Sequence, residues 1–259
     1  MFYQLIKYYK FILESTNKHG VHSPFVYDLV TKCFKTKLSN KKVTILSNYR
    51  NNLKQNNAKI NVSDFGAGSR VFKSSERVVS EVLKNVTILQ KHAELLSKLV
   101  AYFNCKDILE LGTSLGVGTL SLALGNKNTS VTTLEGCSET LAIPKGIINN
   151  YTNNKITFIE GEFSKTLPDV LLNKQYDLVY FDGNHQKEPT IKYFEQCLKA
   201  IHNETLFIFD DIYWSKEMTE AWQYIKNHHK VTLTIDTYHF GFVFFRKEQF
   251  QKEHFVIRL

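Results

Sequence analysis

From Asp107 onward the chain alternates short β-rich runs with helical ones, and that alternation limits the fold more than any other feature. The runs are "DILELG", "SVTTLE", "KITFIEG", "YDLVYFDG" and "TLFIFDD", separated by helical stretches near 117–124, 138–150, 164–172 and 187–201. Strands joined through helices must run parallel, with right-handed crossovers. After a further helix near 215–228, "KVTLTID" and "FGFVFFR" are separated by only a few residues. No crossover helix fits that gap, so these two strands form an antiparallel hairpin. The expectation is an α/β protein with a Rossmann-like, doubly wound, seven-stranded sheet: five parallel strands and a terminal antiparallel hairpin.

The first hundred residues have a different texture. Phe2, Leu5, Ile6, Tyr9, Ile12 and Leu13 form a one-faced stripe at helical spacing over 2–13, and Gly20 can stop that helix. Packing against a core is the ordinary meaning of such a stripe, and a membrane-surface helix the less common one. Ser23 and Pro24 supply an N-cap and a first-turn proline for a second helix, "FVYDLVTKCF". Residues 37–63, rich in Lys, Asn and Gln, read as a polar loop, and a helical stretch from about 75 to 103 breaks near Asn85. Three regions are expected: a helical extension or cap over 1–75, a core domain over 76–247 and a tail over 248–259.

Two glycine turns compete for a nucleotide. A cofactor turn must follow a buried strand and open a helix, because the strand sets it at the sheet's carboxyl edge and the helix start offers free N–H groups. "DILELGTSLGVGTLSLALG" meets both demands, with Gly112 and Gly116 between an apolar strand and an apolar helix. The next strand ends in Glu135, 23 residues after Gly112, about where an acid accepts hydrogen bonds from ribose hydroxyls. "DFGAGSR", Asp64 to Arg70, has the glycines without the context, since the preceding "NNAKINVS" is too polar for a central strand. Gly66 and Gly68 there permit a tight turn, with Arg70 directed toward the cleft.

The pattern Glu110-Leu111-Gly112-Thr113-Ser114-Leu115-Gly116, with Glu135 and the terminal hairpin, resembles the class I S-adenosylmethionine-dependent methyltransferases over roughly 85–246. Ser114 departs from the commonest form, which has a glycine there, and members resembling catechol O-methyltransferase tolerate the change. The resemblance implies that Glu110 and the backbone of Gly112, Thr113, Ser114 and Gly116 face the methionine moiety, that Glu135 holds the ribose, and that Gly161, Glu162 and Phe163 flank the adenine. A nicotinamide enzyme would have a tighter Gly-x-Gly-x-x-Gly turn and no such hairpin.

Asp182 ends the fourth strand, and Asp210 and Asp211 end the fifth. Neighbouring strands lie about 5 Å apart, so the three carboxylates would converge beside the cofactor, where Asp182 also contributes to its binding. A hard divalent cation, Mg²⁺ or Mn²⁺, relieves their repulsion, although an acid ending a strand is equally a helix cap. The set resembles metal-dependent O-methyltransferases, and "Asp-Gly-x-His", Asp182 to His185, resembles the branch acting on sugar and antibiotic hydroxyls. That resemblance makes His185 the general base and Asp182 its catalytic partner. A metal-bound hydroxyl gives up its proton more easily, and an imidazole with an ordinary pKa near 6.5 can take it. His185 reads equally as a surface histidine at a helix start. "HGVHSPF", "DFGAGSR" and "LELGTSLG" together resemble bacterial methyltransferase-like proteins with an N-terminal extension; no substrate follows from that.

Charge bears on partners. The net charge is +8, with 11 Lys/Arg against 2 Asp/Glu in residues 1–60 and 15 against 19 in residues 107–259. A basic arm admits nucleic acid as a partner, but Lys outnumbers Arg 28 to 5, and Arg is the better phosphate reader. The expected activity is therefore methyl transfer to a small hydroxylated acceptor, the alternative an RNA methyltransferase, and a third class a cofactor-binding protein without catalysis. No apolar run is long enough for a membrane span. Cys33, Cys105, Cys137 and Cys197 form no CxxC pair, which suits reduced thiols in a cytoplasmic protein. A homodimer through the extension is compatible with this pattern.

Overall fold

The computed structural model describes all residues except 1, 18–19, 64–65, 67 and 69–73. The elements run α1 (Phe2–Glu14), α2 (Pro24–Leu29), α3 (Asn40–Gln55), β1 (Lys59–Asn61), β2 (Glu76–Val78), α4 (Val79–Asn85), α5 (Gln90–Tyr102), β3 (Asp107–Leu111), α6 (Val117–Ala123), β4 (Ser130–Glu135), α7 (Ser138–Ile147), β5 (Ile156–Glu160), α8 (Phe163–Val170), β6 (Leu178–Phe181), α9 (Lys187–Cys197), β7 (Leu206–Asp210), α10 (Lys216–Asn227), β8 (Leu233–Asp236), β9 (Phe240–Phe244) and β10 (Glu253–Val256). They fall into two compact units, 37–169 and 1–36 with 170–259. β1 to β5 belong to the first unit and β6 to β10 to the second.

In the unit 37–169, β3, β4 and β5 pair in parallel, with Glu110 opposite Thr133 and Glu135 opposite Glu160. β3 and β4 are buried along nearly their whole length, although β3 carries Glu110 and β4 carries Thr132 and Thr133. The predicted polar loop over 37–63 is corrected here, since its centre is the sixteen-residue helix α3. Its buried face is only Leu46, Tyr49 and Leu53, a stripe too narrow to stand out among Lys and Asn. The helical stretch after residue 75 breaks at Asn85, as expected, but begins with β2, which pairs antiparallel with β1. "DFGAGSR" lies largely outside the described residues, Arg70 included; Gly68 has φ +75°.

In the other unit β6 and β7 are parallel, β9 runs antiparallel to both β7 and β8, and β8 and β9 form the expected hairpin. An eighth strand exceeds the predicted seven: β10, from the segment read as a tail, pairs in parallel with β8. Its four residues follow the polar "RKEQFQK", too short a run to signal a strand by alternation. The core is aromatic, with Tyr180, Phe194, Phe207, Phe209, Trp222, Phe240, Phe242 and Phe244 fully buried and Phe181 stacked on Phe209 at 4.2 Å. α1 ends at Glu14, ahead of Gly20, and α2 widens into a π-helical turn over Val30–Phe34. Phe25 and Phe34 pack against Phe244 and Phe242 of β9. Thr16 accepts and donates backbone hydrogen bonds to the far end of the chain, from Arg258 N and to Val256 O.

All four cysteines are free and buried. Among the described residues no helix is long and apolar enough to cross a membrane.

Candidate active site

The turn after β3 is held from several sides. Gly112 (φ +108°) donates its N–H to Leu134 O at 2.9 Å, and Ser114 (φ +46°) donates its N–H to Glu135 Oε2 at 2.9 Å. Glu135 Oε1 accepts from Cys137 N at 3.0 Å, so this acid ties the β3 turn to the start of α7. Gly116, at φ +75°, caps α6. A Cβ there would lie 2.6 Å from Pro144 Cβ and 2.7 Å from the Tyr49 hydroxyl, so backbone conformation and space both demand glycine.

Glu110 is completely buried. Its Oε2 accepts hydrogen bonds from Thr119 at 2.5 Å and Thr133 at 2.6 Å, while its Oε1 has no partner. With the Thr133 proton committed to Glu110, the 2.6 Å contact between Thr113 and Thr133 is a bond donated by Thr113. Burial pushes the Glu110 carboxyl up to about 8; the two hydroxyls oppose that rise and the charge of Glu135 adds to it. A buried carboxyl oxygen with no partner is costly. The cationic methionine moiety of S-adenosylmethionine would relieve that cost, so the turn fits this cofactor. After β5, Gly161 (φ +139°) donates to Glu135 O at 2.9 Å, which sets this bend beside the end of β4. The Glu162 side chain reaches Lys165 at 3.1 Å on the surface, so only its backbone, with Phe163 at the head of α8, remains for an adenine.

The acids sit in the other unit. Register pairs Tyr180 with Ile208 and Phe181 with Phe209, bringing the carboxyl ends of β6 and β7 together. The Tyr180 hydroxyl lies 3.0 Å from Asp182 Oδ2 and 3.2 Å from Asp210 Oδ2. One phenolic proton can serve only one carboxylate, so the other needs a proton of its own. Burial, then the charges of Asp182 and Asp211, raise the Asp210 carboxyl well above the usual range, which favours its protonated form. Its Oδ1 accepts the Asp211 N–H at 2.9 Å. His185 Nε2 lies 3.9 Å from Asp182 Oδ1, and its ring lies 6.3 Å from that of Trp214. Asn184, His185 and Asp211 all have positive φ, an uncommon backbone for non-glycine residues that is concentrated at functional sites.

Asp182 and Asp210 thus both reach the Tyr180 hydroxyl. Among the described residues no three His, Cys, Asp or Glu side chains gather as a metal-binding group. Tyr180 and Tyr49 escaped the sequence reading. Tyr180 has one available signal: it stands two residues before Asp182, on the same strand face, as a hydroxyl in an otherwise apolar run.

Parallel strands, a glycine turn opening a helix and an acid closing the next strand define a nucleotide-binding α/β domain. Residues 70–237 match the model of the O-methyltransferase family, and the chain belongs to that family. No curated protein matches the chain. Among solved structures it is similar to the SAH-bound methyltransferase PaMTH1 of Podospora anserina, at 13% identity and TM-score 0.60, covering 88% of this chain and 97% of that one. It is also similar to a Bacillus cereus O-methyltransferase in complex with SAH, at 18% identity and TM-score 0.53, over 85% and 93% of the two chains. TomG of Streptomyces achromogenes, involved in tomaymycin synthesis and solved with SAM, is 12% identical at TM-score 0.56, over 82% and 92%.

Proposed function

We propose that the protein methylates a hydroxyl group of a small acceptor, with His185 as proton acceptor and Asp182 holding the resulting imidazolium. The observation that carries this reading is the run His185, Asp182, Tyr180, Asp210 at the ends of two paired strands. S-adenosylmethionine, when bound, supplies an electrophilic methyl group. Thr119 and Thr133 keep Glu110 aimed at the cofactor's positive charge, and Glu135 accepts from the ribose while bracing Ser114. The protein's further task is to align the acceptor oxygen and exclude water.

Residues 1–75 act in this reading as an extension with two parts. α1 packs on Tyr238, whose hydroxyl donates to Gln4 O at 3.0 Å and whose ring meets Tyr8 and Phe11; that phenol is pushed up first by burial and then by the Asp211 charge. Mg²⁺ or Mn²⁺, if bound, would be held by Asp182, Asp210 and Asp211, and would favour the ionised form of Asp210. No step above depends on a cation.

The test is transfer of labelled methyl from S-adenosylmethionine to a panel of small diols, phenols and sugars, with RNA alongside. Label on a small hydroxyl acceptor, lost in His185→Ala, supports the reading. Label on RNA alone, falling steeply with salt, would replace it with the nucleic-acid alternative. A rate abolished by chelator and restored by Mg²⁺ would add the cation.

A further inference from the structure

We propose that Tyr49, on α3, is a positioning residue for the cofactor turn, which makes a segment outside the family-matched region part of the cofactor site. This rests on the turn being where S-adenosylmethionine binds. Tyr49 is completely buried and donates its hydroxyl to Leu115 O at 2.8 Å. Leu115 immediately precedes the cap of α6, so this carbonyl lies inside the turn whose N–H groups must face the ligand. The ring is fixed in turn: it meets Tyr151 edge to face, at 5.1 Å and 89°. The hydroxyl also fills the space where a side chain at Gly116 would go.

α3 is anchored at both ends of α6. Lys42 donates its ammonium to Gly125 O at 2.7 Å, just past the last turn of α6, where a cation also suits the helix dipole. Tyr49, seven residues further on, grips the opposite end. Seven residues of helix rise about 10 Å, which matches the seven-residue length of α6. Arg50 extends the brace by donating to Ile88 O at 2.7 Å, ahead of α5. α3 is thus a strut along α6, and Tyr49 is its contact with the ligand-facing end. A turn held in its binding conformation spends no binding energy on being ordered.

Calorimetry with S-adenosylhomocysteine on the full chain tests this. Tyr49→Phe keeps the ring and leaves the buried Leu115 carbonyl without its donor, so the dissociation constant should rise about tenfold. KM for S-adenosylmethionine should rise by a similar factor while kcat at saturation stays within about twofold. A merely structural tyrosine would lower the melting temperature and leave the affinity of the folded protein unchanged; that result overturns the proposal. If Tyr49→Phe does not fold, Tyr151→Leu, which frees the Tyr49 ring, decides: weakened affinity supports the proposal and parental affinity overturns it. Failure of the parent protein to bind at all would instead sink the cofactor assignment.

Discussion

The Ser114 N–H donates to Glu135 Oε2 over 2.9 Å, so the acid that closes β4 also fastens the turn that follows β3. Glu135 is thus a brace, and the proposed cofactor site gives it a second duty as ribose acceptor. Glu135→Ala removes both and should weaken S-adenosylhomocysteine binding 10- to 100-fold, the scale of charge-assisted hydrogen bonds. Glu135→Gln keeps an acceptor oxygen and should lose less. Titration calorimetry on both separates the duties, and parental affinity in Glu135→Ala would remove the turn from the cofactor site.

Glu110 makes stability depend on pH. Its carboxyl is raised to about 8 in the folded chain against 4.5 when exposed. A raised acid binds more protons folded than unfolded, so its contribution is complete below about 4.5 and is lost as pH rises through about 8. The melting temperature of the ligand-free protein should fall across that window, and Glu110→Gln should flatten the fall. A profile of equal slope in both proteins would contradict the assignment.

Asp182 and Asp210 should respond differently to amide substitution. Burial and the neighbouring charges favour the protonated form of Asp210, so Asp210→Asn should retain near-parental stability and a measurable rate. Asp182→Asn removes the charge facing His185 and should lower kcat 10²- to 10⁴-fold, the range for general-base assistance. Equal losses in the two variants would break this distinction between the acids.

Gly116→Ala should abolish cofactor binding and destabilise the fold by about 1–3 kcal/mol, since φ +75° and the contact with Pro144 both oppose a Cβ. Thermal melting and calorimetry read the two effects separately.

The βαβ series and its terminal hairpin were legible because buried parallel strands must be continuous apolar runs, as in "LVYF" and "LFIFD". Gly112, Gly116 and Glu135 were legible because a nucleotide turn constrains residue type at fixed offsets. α3 was hidden by its own surface: a helix lying on other helices needs only Leu46, Tyr49 and Leu53 to hold it, and the rest is free to be Lys and Asn. The link between Asp182 and Asp210 could not be read at all, because it depends on the burial and register that place the Tyr180 hydroxyl between them. The three acids looked alike in sequence; their surroundings make them different.

The backbone bonds from Thr16 to Val256 and from Arg258 to Thr16 have a mechanical consequence. β10 shields an otherwise open sheet edge, the kind of surface that recruits foreign strands. Because the same four-residue strip is stitched to the stretch just after α1, clipping residues 252–259 would do two injuries at once. It would bare β8 to aggregation and unmoor the helix that lies over Tyr238, so a short proteolytic nick far from Asp211 in sequence would be felt at the acids.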